Sequence, residues 1–182
     1  MTFKIICLAL PLCLALACTP KKVAQKTADP NLKVADLTEV KKETPKPGRG
    51  EPTRYKIVSL ERTGCYGKCP TYLFEVWNDG VAFYAGARSV ERLGKFEARA
   101  SEEQMSAIRE LGAELGILKM EDGYPLIKEK RPADLPVTNV YFNNGDKEHF
   151  TTDVIGAPVE LTKFELLIDQ IMNNMDWKPI KN

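Results

Sequence analysis

Tyr55–Arg62 is rich in β-forming residues, and Thr71–Asn78 alternates with period two. Tyr72, Phe74 and Val76 lie on one side of the second segment, and Leu73, Glu75 and Trp77 on the other, as in a strand with unlike faces. Asp79-Gly80 supplies the positive-φ positions of a tight hairpin, and Val81–Ala85 returns as its partner. Lys95–Arg99 alternates charged residues with Phe96 and Ala98, a half-exposed strand. The period then lengthens. Met105, Ile108, Leu111, Leu115 and Leu118 recur at helical spacing behind Ser101 and Gln104, a capping-box pair, with Glu102 and Glu103 in the first turn. Gly112 and Gly116 weaken this helix, which is expected to end near Gly116.

Residues 119–135 show no clear period and are expected to be a long irregular connection, a place where binding loops occur. Val137–Phe142 and Lys147–Thr152 flank Asn143-Asn144-Gly145-Asp146, a second hairpin. Pro158 suits the first position of a last helix. Its stripe of Leu161, Phe164, Leu167, Ile168, Ile171, Met172 and Met175 predicts deep burial. The order ββββ-α-ββ-α predicts an α+β fold: a largely antiparallel sheet with two helices packed on one face.

The start of the chain follows another pattern. Lys4 precedes thirteen uncharged residues, Ile5–Ala17. That run is shorter than the roughly 20 apolar residues of a spanning helix and fits a signal-peptide core. Ala15-Leu16-Ala17-Cys18 resembles the lipobox of bacterial lipoproteins, although Ala15 stands where that family most often has leucine. The resemblance implies cleavage after Ala17 and acylation of Cys18, so that the partner of the N-terminus is a membrane. Thr19, in place of an aspartate, implies the outer membrane, with the domain facing the periplasm. The plainer reading is an ordinary secretory signal cut near Ala17. Residues 19–54 hold five prolines, no aromatic residue, nine Lys/Arg and five Asp/Glu. Such a stretch cannot bury enough apolar surface to offset its ordering entropy and is expected to be a disordered tether. Residues 55–182 are expected to form one domain.

Composition is ordinary for a globular protein, with 43% hydrophobic and 28% charged residues. A formal charge of +1 gives no field that would draw nucleic acid. The charge is unevenly placed: residues 19–54 carry +4, and residues 55–182 carry −4 from sixteen Lys/Arg and twenty Asp/Glu.

If Cys7 and Cys13 leave with the signal and Cys18 is acylated, Cys65 and Cys69 remain. Outside the cytoplasm such a pair is usually a disulfide. Four residues of extended strand span about 13 Å, too far for a bridge, so the segment must curl, and Gly64 and Gly67 permit it. A structural clip is the leading expectation. Thiol–disulfide exchange, with Lys68 favouring a thiolate, and idle free thiols are alternatives. Cys65-x-x-x-Cys69-Pro70 also resembles the site of copper-delivery proteins of respiratory oxidase assembly. That resemblance implies Cu(I) held by the two thiolates and a distal histidine, for which the sole candidate is His149. The plainer role of His149 is that of a strand residue. No Gly-x-Ser-x-Gly or phosphate-binding glycine loop occurs, and no cofactor is implied. Glu102-Glu103, Glu121-Asp122 and Lys128–Arg131 read as solvated surface. Tyr66, Trp77 and Tyr84 could add a ligand face, though sheet packing explains them more simply.

Cys65-Tyr-Gly-Lys-Cys69-Pro70-Thr-Tyr72, then Asn78-Asp79-Gly80 and Phe83-Tyr84-Ala85-Gly86, resembles the uncharacterised bacterial family "domain of unknown function 6438", over about residues 55–175. Gly94 and Asp134-Leu-Pro136 extend the likeness. The resemblance implies export, often with lipidation, and supplies no catalytic residue. Two functions remain as expectations: a non-enzymatic envelope module that binds an unidentified envelope protein or ligand, or a redox or Cu(I)-handling protein using Cys65 and Cys69.

Overall fold

The alternating segments form strands in a computed structural model that describes residues 53–126, 132 and 134–181. The signal segment, Cys18, nearly all of the tether and Lys128–Arg131 lie outside the described residues. The elements are β1 (Lys56–Arg62), β2 (Thr71–Trp77), β3 (Val81–Arg88), β4 (Gly94–Arg99), α1 (Glu102–Glu114), β5 (Gly123–Tyr124), β6 (Thr138–Asn143), β7 (Glu148–Asp153), α2 (Val159–Asn173) and β8 (Lys178–Pro179). The strands make one eight-stranded sheet in the order β5-β7-β6-β1-β2-β3-β4-β8. Every neighbouring pair is antiparallel except β5 with β7. The fold is α+β, as the pattern predicts.

The turns form at the expected places, but Asp79 does not share the positive φ expected of the Asp79-Gly80 pair: the Gly80 N–H closes a turn onto Trp77 O, and the glycine alone is left-handed. Gly80 has a φ of +79°, and the Asp79 side chain accepts the Val81 N–H at 3.0 Å. Gly145 has a φ of +105°, and Asn144 Oδ1 accepts the N–H groups of Asp146 and Lys147. The capping box is complete: Ser101 Oγ accepts the Gln104 N–H, and Gln104 Oε1 accepts the Ser101 N–H. Leu115 caps α1, and Gly116 follows in the left-handed region at φ +68°.

Several expectations need correction. Pro158 is the N-cap of α2 rather than its first helical residue. Residues 119–135 are not wholly irregular. A 3₁₀ turn, Ile117–Lys119, leads into β5, which is held by the Thr152 N–H to Asp122 O and the Val154 N–H to Tyr124 O. The chain after α2 returns as β8 on the other sheet edge, beside β4. Gly112 has a packing reason: a Cβ there would stand 2.5 Å from Phe142 Cζ, so the glycine lets α1 lie against β6.

The core lies between one sheet face and the helices. Val58, Leu60, Phe74, Val76, Ala82, Ala98, Val140 and Phe142 meet Met105, Ile108, Leu161, Phe164 and Ile168, all buried. A register shift between Lys56 and Val58 lets Ile57 join this core beside Val58. Phe142 packs edge-on against Phe164. Trp177, between α2 and β8, packs against Phe74 and Tyr84 and donates its indole N–H to Met172 O at 2.8 Å. Each large apolar side chain so buried contributes roughly 1.5–3 kcal/mol. Among the described residues no helix is long and apolar enough to cross a membrane.

Candidate functional site

Antiparallel pairing brings four connections to one rim of the sheet, of which the described residues are 63–70, 89–93, 125–126 with 134–137, and 154–158. Thr53–Tyr55, where the chain enters the domain, lies at the opposite end beside Asn78. The rim is therefore about 23 Å, the length of β1, from the point where the chain enters.

Just beneath the rim the register aligns polar residues across four strands. Asp153 stands opposite Thr138, Thr138 opposite Arg62, and Arg62 opposite Tyr72. Helix α2 sets Glu165 and Asp169 over this row, one turn apart on one face. Arg62 donates from Nε to the Tyr72 hydroxyl at 2.9 Å, from Nη1 to Thr138 Oγ1 at 3.0 Å, and from Nη2 to Asp169 Oδ2 at 2.7 Å. Tyr72 donates to the other Asp169 oxygen. Glu165 Oε2 lies 3.4 Å from Arg62 Nη2. The guanidinium thus joins β1, β2 and β6 to α2.

One cation here serves three carboxyl groups. Glu165 Oε1 and Asp153 Oδ1 are buried without a hydrogen-bond partner. Burial pushes the Glu165 carboxyl up to about 7, with Arg62 opposing and Asp153 and Asp169 reinforcing the shift. Burial also raises Asp153, again against Arg62. Burial alone would lower Arg62, but Tyr72, Asp169 and Glu165 more than offset it, and its pKa rises. Burial and Asp169 together raise the Tyr72 phenol. The arrangement disfavours the charged form of Glu165 and clamps the helix to the sheet.

Above this cluster Cys65 and Cys69 are joined as a disulfide, with Cα atoms 5.6 Å apart. The bridge curls residues 64–69 into a short exposed loop with Tyr66 at its tip, 96% exposed. Arg88 donates to Cys65 O at 3.0 Å and lies over Gly64, where a Cβ would meet Arg88 Nη2 at 2.6 Å. Lys68 is exposed on the same loop.

The other sequence candidates are dispersed. His149 stands opposite Phe142, four residues back along β7 from Asp153. That is about 13 Å of strand from the rim. The ligand set Cys65, Cys69 and His149 is thus not assembled, because the hairpin directs the histidine toward the other end. Among the described residues no group of three His, Cys, Asp or Glu could hold a metal ion. Tyr84 is buried in the core, and burial raises its phenol to about 12. Trp77 lies on the open sheet face under Arg54, 4.5 Å from the ring centroid. Glu102, Glu103, Glu121 and Asp122 are exposed.

Sequence reasoning missed the Arg62 cluster, although a signal existed. Glu165 falls between Leu161 and Ile168, inside the apolar stripe of α2, where an acidic residue requires a buried partner.

Residues 56–172 match the family described as Domain of unknown function (DUF6438). No curated protein matches the chain. The matched stretch runs from the first residue of β1 almost to the end of α2 and takes in the bridged loop and the whole Arg62 cluster. The chain belongs to the family of the domain of unknown function DUF6438.

Proposed function

We propose that this chain is a lipid-anchored protein of the bacterial cell envelope, whose single α+β domain binds another envelope component and is not an enzyme. The observation that carries the reading is the Cys65–Cys69 disulfide. Such bridges persist outside the cytoplasm, where glutathione and thioredoxin do not keep thiols reduced. The apolar leader ending at Ala17-Cys18 supports the same location, and Thr19 favours the outer membrane, with the domain in the periplasm. The Arg62 cluster bonds internally, which supports a structural role for it and leaves the rim loops as the surface for a partner.

The test is palmitate labelling of the full chain in its host, with and without globomycin, and with thiol alkylation before lysis. The expected product is labelled at Cys18, accumulates unprocessed under globomycin, and is not alkylated at Cys65 or Cys69. An unlabelled soluble product would end the anchoring claim. Alkylation of Cys65 and Cys69 in the exported protein would favour thiol exchange or Cu(I) handling instead.

A further inference from the structure

The Arg62 cluster serves its carboxyl groups unequally. The guanidinium donates to the Tyr72 hydroxyl, to Thr138 and to Asp169, on β2, β6 and α2. Asp153, the last residue of β7, accepts none of these bonds. Its Oδ1 and Glu165 Oε1 stay buried with no donor. The groups acting on Glu165 are Arg62 from β1, Asp153 from β7 and Asp169 from its own helix. Tyr72 from β2 and uncharged Thr138 from β6 complete the surroundings of the guanidinium. Burying a carboxylate without a donor is costly, and a second carboxylate nearby raises the cost. The edge that carries Asp153 is also thinly held. Beyond β7 lies only the two-residue β5, tied by the Thr152 N–H to Asp122 O and the Val154 N–H to Tyr124 O, both at 3.1 Å. Residues 154–158 then lead into α2, whose N-cap Pro158 makes no side-chain cap bond. The helix itself is fixed in the core by Leu161 and Phe164, both fully buried.

From this we infer that Glu165 and Asp153 form a proton-operated latch: with a proton on one of the two carboxyl groups the end of β7 lies closed against α2, and with both ionised the end of β7, β5 and the connection 154–158 open from the helix. Opening releases the Glu165 proton to solvent. One guanidinium then stands against three carboxylates rather than two. Arg62 stays bonded to Asp169, so α2 remains on the central strands, and the repulsion is relieved at the edge that Arg62 does not hold. The shifts in acidity agree with this geometry. Burial raises both carboxyl groups, and Asp153 adds to the rise at Glu165, to about 7. The connection 154–158 is part of the rim, so the latch makes one portion of that surface depend on pH. The inference goes beyond the envelope-binding reading and does not depend on it.

The test is amide hydrogen exchange of the full exported chain carrying Cys18→Ser, from about pH 5 to about pH 8, with each rate divided by its intrinsic chemical rate. Protection of Thr152 and of residues 154–157 is expected to fall roughly tenfold or more across this range, while the amides of β1–β4 keep theirs. The midpoint of the fall is expected near the Glu165 value of about 7. Glu165→Gln, which cannot ionise, is expected to keep the edge protected throughout. Asp153→Asn is expected to move the midpoint to lower pH, because the charge that opposes ionisation of Glu165 is gone. Far-UV circular dichroism matching the parent chain shows that each variant is folded, and either variant alone decides if the other does not fold. Edge protection that does not change with pH in the parent, or that changes equally in Glu165→Gln, would overturn the inference. An unmoved midpoint in Asp153→Asn would do so too. So would a loss of protection spread evenly over all strands, which would make the cluster a general support of the fold.

Discussion

Glu165 is the residue at which chemistry and stability meet most directly. It is nearly fully buried, it shares one guanidinium with Asp169, and Asp153 adds a further negative charge. Its carboxyl holds its proton up to about 7, against an ordinary 4.5. A group with a raised folded pKa binds more protons in the folded state between those values. Its contribution to stability is therefore complete below 4.5 and is lost as the pH climbs to about 7. Glu165→Gln keeps the shape and removes the ionisation. Denaturant midpoints measured across this window should fall for the parent chain relative to the variant, by at most about 3 kcal/mol. A difference independent of pH would contradict this account of the cluster. Asp153 is shifted in the same direction and makes the parent's decline steeper.

At the scale of elements, two glycines flanking the end of α1 act by different physics. Gly112→Ala should gain about 1 kcal/mol of helix propensity but force Phe142, a fully buried ring, to move. Overpacking of that kind costs about 1–3 kcal/mol, so net destabilisation is expected. At Gly116 nothing lies within 4 Å of a Cβ, and only the positive φ matters. Gly116→Asn should therefore be nearly neutral, because asparagine tolerates the left-handed region. Thermal unfolding of the two variants checks the pair, and a stabilised Gly112→Ala would refute the packing argument. The sequence displays Gly112 only as a helix defect, since its reason lies on β6, thirty residues away. The same holds for β5 and β8. Two residues carry no readable period, and each strand exists only through pairing with a distant partner. Long alternations such as Tyr72–Val76, and turns written in Asp79-Gly80 or Asn144-Gly145, are local and were legible. The Arg62 cluster needs five elements brought to one place, and residue types alone do not disclose that meeting.

For the whole molecule the decisive feature is polarity. The chain enters at one end of the sheet, while the bridged loop and the exposed apolar tips stand at the other. Residues 19–54, at +4, precede a domain of −4. The proposed anchoring through the N-terminus and contact at the rim fits this layout. It requires that the chain reach the envelope with residues 1–17 removed and its two domain cysteines oxidised. Intact-mass analysis of the protein extracted from isolated membranes under thiol-blocking conditions tests that requirement most directly. The account predicts a chain beginning at Cys18, heavier by its acyl groups, and lighter by the two hydrogens lost in joining Cys65 to Cys69. A species retaining Met1 with every cysteine blocked as a free thiol, recovered from the cytosol and missing from membranes, would contradict it.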